Sequence, residues 1–163
     1  MAAPAAAQRS WEIAAGYSYL QDPPDRTNFP AGWLAGASAS LTPWLSVVGD
    51  ISRHHESSLD IDLSTTALLA GVRAGARIGP FVEFGQLLAG LARSTSTVVG
   101  MTTSANDPAL QPGAAIEYPI ARQFSLRAQF DYRVVRGGDG PGIADPRHQF
   151  RYSATLVYHG CCK

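Results

Sequence analysis

The 163-residue sequence predicts an all-β fold, an antiparallel up-and-down barrel of eight strands. Three observations predict it. Apolar residues alternate with small or polar ones along eight stretches, as side chains do on a strand. The connections between these stretches alternate strictly between long and short. The two faces that the alternation defines differ in kind: one is apolar with aromatics at its ends, the other holds glycines and charges.

Taken in order, Trp11, Ile13, Ala15, Tyr17 and Tyr19 oppose Glu12, Ala14, Gly16 and Ser18. Next, Trp33, Ala35, Ala37, Ala39 and Leu41 oppose Gly32, Leu34, Gly36, Ser38 and Ser40. In 44–53, Leu45, Val47 and Ile51 oppose Ser46, Asp50 and Ser52. Thr66, Leu68, Ala70, Val72 and Ala74 then oppose Ala67, Leu69, Gly71, Arg73 and Gly75. The fifth stretch, 81–93, admits two registers, because Glu83 and Gln86 fall on opposite faces; Glu83 is expected inward. Leu110, Pro112, Ala114, Ile116 and Tyr118 oppose Gln111, Gly113, Ala115 and Glu117. Leu126, Ala128, Phe130, Tyr132 and Val134 oppose Ser125, Arg127, Gln129, Asp131 and Arg133. The last and clearest stretch sets Phe150, Tyr152, Ala154, Leu156 and Tyr158 against Gln149, Arg151, Ser153, Thr155 and Val157. A helix would need apolar residues three and four apart, which these stretches lack.

Short connections hold Thr42-Pro43, Ile78-Gly79-Pro80 and Pro119-Ile120-Ala121-Arg122, whereas 21–30, 54–63, 94–106 and 135–147 are longer and polar. In a meander, alternate connections lie at opposite ends, so one end carries the four long loops and the other the three tight turns. Residues 1–9 are expected to be a leader, either the remnant of a signal peptide or an unstructured extension. Residues 10–159 form the barrel domain, and 160–163 a tail.

Composition decides which face is the core. Charged residues make up 16% of the chain, Lys+Arg and Asp+Glu are 13 each, and Lys163 is its single lysine. Average soluble proteins are ~25% charged, and their surfaces are rich in Lys. The Gly-bearing face is therefore a poor solvent face and a good lining for a narrow barrel. Arg73, Arg77, Arg127, Arg133 and Arg151 then share the lumen with Glu12, Asp50, Glu83, Glu117 and Asp131. Five charges of each sign suit a low-dielectric interior, where an unpaired charge costs several kcal/mol. Arg fits such pairs better than Lys, since its planar fork bonds carboxylates bidentately.

The apolar face meets lipid. Trp11, Trp44, Tyr118, Phe124 and Tyr158 lie near the tight turns, and Tyr17, Tyr19, Trp33, Tyr132, Phe150 and Tyr152 towards the long loops. Two aromatic girdles flanking an apolar band mark a transmembrane barrel. No run of ~18 apolar residues exists to form a membrane-spanning helix. A net charge of zero argues against a nucleic-acid partner.

Sites for chemistry are thin. His54-His55-Glu56 with Asp60 or Asp62 offers metal-ligating atoms, but neighbouring histidines do not easily reach one ion. Ser153 lies about 17–20 Å along its strand from His148 and His159, too far for a nucleophile and base. Gly137–Gly142 lacks the Lys-Ser/Thr and helix of a phosphate loop. Cys161 and Cys162, adjacent in sequence, make no disulfide framework. No catalytic residue, metal or cofactor is expected.

The runs WEIAAGYSYL, PAGWLAGASASLTPWLSVVGD, LLAGVRAGARIGPFVEFGQLLAGLAR and FSLRAQFDYR…HQFRYSATLVYH resemble the small bacterial outer-membrane β-barrels of the OmpA transmembrane-domain and OmpX kind. The resemblance spans residues 10–159 and implies a bacterial outer-membrane location, periplasmic turns and extracellular loops. It departs from the pattern at the end, where Tyr158 is followed by five further residues. The expected function is non-catalytic: a barrel with a lumen filled by side chains, anchored in the bilayer, presenting loops 21–30, 54–63, 94–106 and 135–147 for adhesion or partner binding. Alternatives are a lipid A-modifying barrel enzyme, a soluble lipocalin-like carrier and a subunit of a larger surface assembly.

Overall fold

The computed structural model describes residues 10–22, 27–58, 61–98, 101–137 and 146–161. Residues 1–9, expected to be a leader, and residues 23–26, 59–60, 99–100, 138–145, 162 and 163 lie outside the described residues. The strands are β1 (Ser10–Asp22), β2 (Thr27–Phe29), β3 (Ala31–Ser40), β4 (Leu45–Ser58), β5 (Ile61–Ile78), β6 (Phe81–Val98), β7 (Met101–Pro119), β8 (Phe124–Val135) and β9 (Arg147–Cys161).

Every neighbouring pair is antiparallel, and β1 pairs with β9 from Ser10↔Cys161 to Gln21↔Phe150. The sheet therefore closes into a barrel of eight long strands. Closure satisfies the edge backbone groups that lipid could not. The short β2 is the detached start of β3. Leu20 pairs with Phe29, yet Tyr17 pairs with Trp33, a register shift of one residue. Pro30, which has no N–H to donate, stands at that bulge.

The tight turns follow local chemistry. Ile78 pairs with Phe81 across Gly79-Pro80, and Gly79 has φ 60°. Glycine takes that conformation without a Cβ penalty, and proline's fixed φ suits the following position, as in a type II′ hairpin. At 41–44, the Thr42 hydroxyl accepts from the Leu45 backbone N–H at 3.0 Å.

Two expected loops are largely strand. β4 and β5 stay paired to Ser58↔Ile61, and β6 and β7 to Val98↔Met101. Segments 54–63 and 94–106 are thus extended hairpins rather than loops. In 94–106, Ser and Thr on both faces keep the backbone extended without an apolar face, so alternation of hydrophobicity gives no sign of it. In 54–63 the run His54–Ser58 is polar throughout, and the alternation of Leu59, Ile61 and Leu63 with Asp60 and Asp62 is a short strand signal passed over in favour of a loop.

Alternation sorts the side chains as expected on all strands but one. On β5, Leu68 is 65% exposed and Leu69 1%. On β6 the register is the opposite of the one expected: Phe84, Gln86 and Leu88 are buried, and Glu83 is exposed on the outer face. The lumen is also less uniformly polar than expected. Val48, Ala67, Leu69, Leu88, Ala92, Ala109 and Val135 form a buried apolar cluster, interleaved with the polar side chains, since Leu69 pairs with Asp50, Ala67 with Ser52 and Leu88 with Gln111.

Candidate functional site

The charges of the lumen are distributed over three tiers between the tight turns and the long hairpins. Nearest the turns, Arg127 on β8 reaches Glu117 on β7 at 2.6 Å and Glu12 on β1 at 2.7 Å. Arg73 on β5 donates to the same Glu12 oxygen as Arg127. Both guanidinium groups lie over the Phe84 ring, 4.2 and 4.9 Å from its centre, where the ring face attracts cations. Arg77 is exposed at this end, in a mouth of about 430 Å³ that Glu12, Arg73 and Glu117 also line.

The middle tier is built around Arg151 of β9, which is fully buried. It bonds both oxygens of Asp50 on β4, at 2.9 and 3.0 Å, and reaches Asp131 Oδ2 on β8 twice, at 2.9 and 2.7 Å. Asp131 also accepts from Gln86 Nε2 at 2.9 Å and Gln129 Nε2 at 2.8 Å. Gln86 accepts in turn from Arg73 and so joins the first two tiers. Gly113 makes room here: a Cβ at that position would lie 1.9 Å from Asp131 Oδ1.

In the third tier, Arg133 is fully buried and donates to Gln111 Oε1 at 2.8 Å and Ser52 Oγ at 3.2 Å. It makes no ion pair with the described residues. His54 shares a 2.9 Å hydrogen bond with Ser18, and Gln149 donates to Asp22 at 3.0 Å.

Four buried guanidinium groups, Arg73, Arg127, Arg133 and Arg151, thus stand against Glu12, Asp22, Asp50, Glu117 and Asp131. Arg77, expected among them, is exposed in the turn-end mouth and makes no ion pair with the described residues. Glu83 belongs outside. It pairs with Ala76 and Ile116 on neighbouring strands, both outward, and a carboxylate two residues from the turn sits at the edge of the apolar band, where it needs no buried partner. The amides Gln86, Gln111 and Gln129 complete the network. Strand parity pointed two of them inward, but a search restricted to charges passes them over.

The aromatic residues divide between the two ends. At the turn end, Tyr158 packs against Trp11 (5.7 Å between ring centres) and Phe124 (5.4 Å), Tyr118 packs against Phe81 (5.5 Å), and Trp44 is exposed. At the hairpin end, Tyr132 and Phe150 are 5.3 Å apart, Tyr19 and Tyr152 6.4 Å, and Tyr17 donates to the Pro30 carbonyl beside Trp33. Phe81 and Phe130 extend these two groups.

One grouping was not foreseen. Ser125 Oγ lies 3.1 Å from His159 Nε2, a serine and histidine in contact across the β8–β9 pair. The same Nε2 lies 2.8 Å from Glu117 Oε1. A carboxylate only accepts, so Nε2 carries the hydrogen in that bond and has no lone pair for the serine proton. A catalytic triad needs the carboxylate on the other ring nitrogen. Here Glu12 is 3.7 Å from Nδ1, beyond hydrogen-bonding reach. Glu12, Glu117 and His159 also bring ligand atoms within 4.8 Å of one another. Both carboxylates already neutralise Arg127, so a metal ion there would meet guanidinium charge. His54 and His55 point to opposite faces, one buried and one exposed, and cannot share an ion.

No protein-family model matches the chain, and no characterised protein matches it in sequence. Its likeness is structural. Neisserial surface protein A (NspA) superposes with a TM-score of 0.72 at 12% identity, over 92% of this chain and 96% of that one. Ail, the attachment invasion locus protein of Yersinia pestis, in complex with the heparin analogue sucrose octasulfate, gives 0.63 at 19% identity, over 94% and 99%. The N-terminal β-barrel domain of Pseudomonas aeruginosa OprF gives 0.57 at 14%, over 94% and 100%. The chain has the fold of the small eight-stranded outer-membrane β-barrels.

Proposed function

We propose that this chain is a non-catalytic integral protein of the bacterial outer membrane, an anchor that presents its long hairpins at the cell surface for adhesion or partner binding. One observation carries the proposal. The closed barrel turns its apolar residues outward and encloses a network of paired charges, the inverse of a soluble barrel. Exposed Ile13, Val47, Leu68, Val72, Leu87, Leu91, Ile116 and Leu126 encircle it. The three tiers bridge facing strands, which supports an anchor over an open pore. Placing the hairpins outside follows from the small barrels it resembles, in which tight turns face the periplasm.

The test is expression behind an outer-membrane targeting signal, with an epitope inserted at 59–60. The protein should fractionate with the outer membrane and migrate faster on gels unless boiled. The epitope should bind antibody on intact cells. Soluble, detergent-independent protein would refute the membrane assignment, and an epitope reached only after permeabilisation would refute the orientation. For partner binding, heparin is the first probe, because the similar Ail barrel was crystallised with a heparin analogue and Arg136 and Arg147 are exposed at the hairpin-end rim.

A further inference from the structure

Two outward arginines remain outside the lumen network. On the outer face of β6, Glu83 and Arg93 bracket Gly85, Leu87, Ala89 and Leu91, which carry no charge. Ten residue steps at ~3.3 Å make ~33 Å along the strand, or ~23 Å along the membrane normal at a ~45° tilt. That matches the ~25 Å apolar band of outer-membrane barrels. Arg93 therefore lies at the headgroup level on the hairpin side. β4 repeats the pattern, with exposed Arg53 following Val47, Gly49 and Ile51.

The register brings the two together. Arg53 pairs with Thr66, and Thr66 pairs with Arg93, so the two arginines flank one threonine at a backbone separation of about 10 Å, two strand spacings. Trp33 pairs with Arg53 on its other side. Among the described residues neither arginine makes an ion pair, and Arg93 has a single weak bond, to Ser104 Oγ at 3.4 Å.

We propose that Arg53, Thr66 and Arg93 form a binding site for the phosphate of an anionic lipid headgroup on the hairpin side of the bilayer. Each guanidinium offers two parallel donors that match a phosphate, and the threonine hydroxyl adds a third donor group between them. The apolar residues just below, Ile51, Leu68 and Leu91, are exposed and face the acyl chains of the same lipid. Trp33 fixes the depth of the site, as interfacial aromatics do.

The inference rests on the membrane-spanning reading, and its test separates the two. In a W11F/W44F background Trp33 is the sole tryptophan and reports on lipid beside Arg53. The protein is folded into phosphatidylcholine vesicles containing either brominated phosphatidic acid or brominated phosphatidylcholine, and quenching of Trp33 gives the relative affinity. Phosphatidic acid should be preferred. R53Q/R93Q should lose that preference by roughly 30-fold, about fivefold for each cation near the surface. R136Q/R147Q, which removes the same charge from the rim, should keep it. Free inorganic phosphate at millimolar concentration should leave the preference unchanged if the site takes a lipid. An R53Q/R93Q variant as selective as the parent, or equal loss in R136Q/R147Q, would overturn the site. Failure of the parent to insert into vesicles would instead overturn the spanning reading.

Discussion

Arg151→Met tests the middle tier of the lumen. Arg151 is fully buried and makes four hydrogen bonds, two to Asp50 and two to Asp131. Methionine keeps most of the volume and removes the charge. Asp131 then retains Gln86 and Gln129 as donors, whereas Asp50 loses the donors that hold both of its oxygens. Breaking a buried ion pair by removing one partner costs about 3–5 kcal/mol, because the remaining charge is left uncompensated. With Asp131 partly satisfied, the expected loss is about 4 kcal/mol, most of it arising at Asp50. Arg151→Met combined with Asp50→Asn should therefore be more stable than the single variant and fall within about 2 kcal/mol of the parent. Arg133→Met should cost only about 1–3 kcal/mol, since it breaks bonds to neutral Gln111 and Ser52 and strands no carboxylate. Urea titration of protein folded in phosphatidylcholine vesicles, followed by tryptophan fluorescence, measures all three. An Arg151→Met variant within about 1 kcal/mol of the parent, or a double variant no better than the single, would refute the assignment of that tier's energy to the Asp50 pair.

Other perturbations address packing and the lipid face in the same urea titration. Gly113→Ala places a methyl against the Asp131 carboxylate and should cost about 1–3 kcal/mol as overpacking; combined with Asp131→Asn the losses should fall short of additivity. Leu87→Arg, on the outer face midway between Glu83 and Arg93, should destabilise the vesicle-bound protein by about 2–4 kcal/mol. Glu83→Leu, at the edge of the band, should change it by at most about 1 kcal/mol. Equal effects of Leu87→Arg and Glu83→Leu would contradict the depth assigned to β6.

Period-two alternation made most of the architecture legible, because a strand with different solvents on its two faces must alternate. β6 escaped it. Apolar residues occupy both parities there, with Phe84 and Leu88 inside and Leu87 and Leu91 outside, so choosing a face fell to Glu83. A carboxylate has two comfortable places in such a barrel, the paired lumen and the headgroup boundary, and alternation does not tell them apart. The extension of β6 and β7 was illegible for a related reason: Ser94–Thr97 and Thr102–Ser104 carry no contrast between faces to reveal a strand. The Arg127–Glu117 and Arg151–Asp131 contacts follow from cross-strand pairing once register is known. The Ser125–His159 contact joins residues 34 apart. It depends on the β8–β9 offset that sets Phe124 against Tyr158, and no spacing in the sequence encodes that offset.

The exposed apolar face that first identified the fold can be examined residue by residue. Spin labels placed singly from 84 to 92 on β6, in protein folded into vesicles, report collision rates with oxygen, which concentrates in lipid, and with a nickel chelate, which stays in water. With that face in lipid, labels at 85, 87, 89 and 91 meet oxygen freely and nickel hardly at all, and labels at 84, 86, 88, 90 and 92 are shielded from both. Nickel access at 87 and 89 equal to that at 102 and 104 on the exposed hairpin would contradict the membrane-spanning barrel.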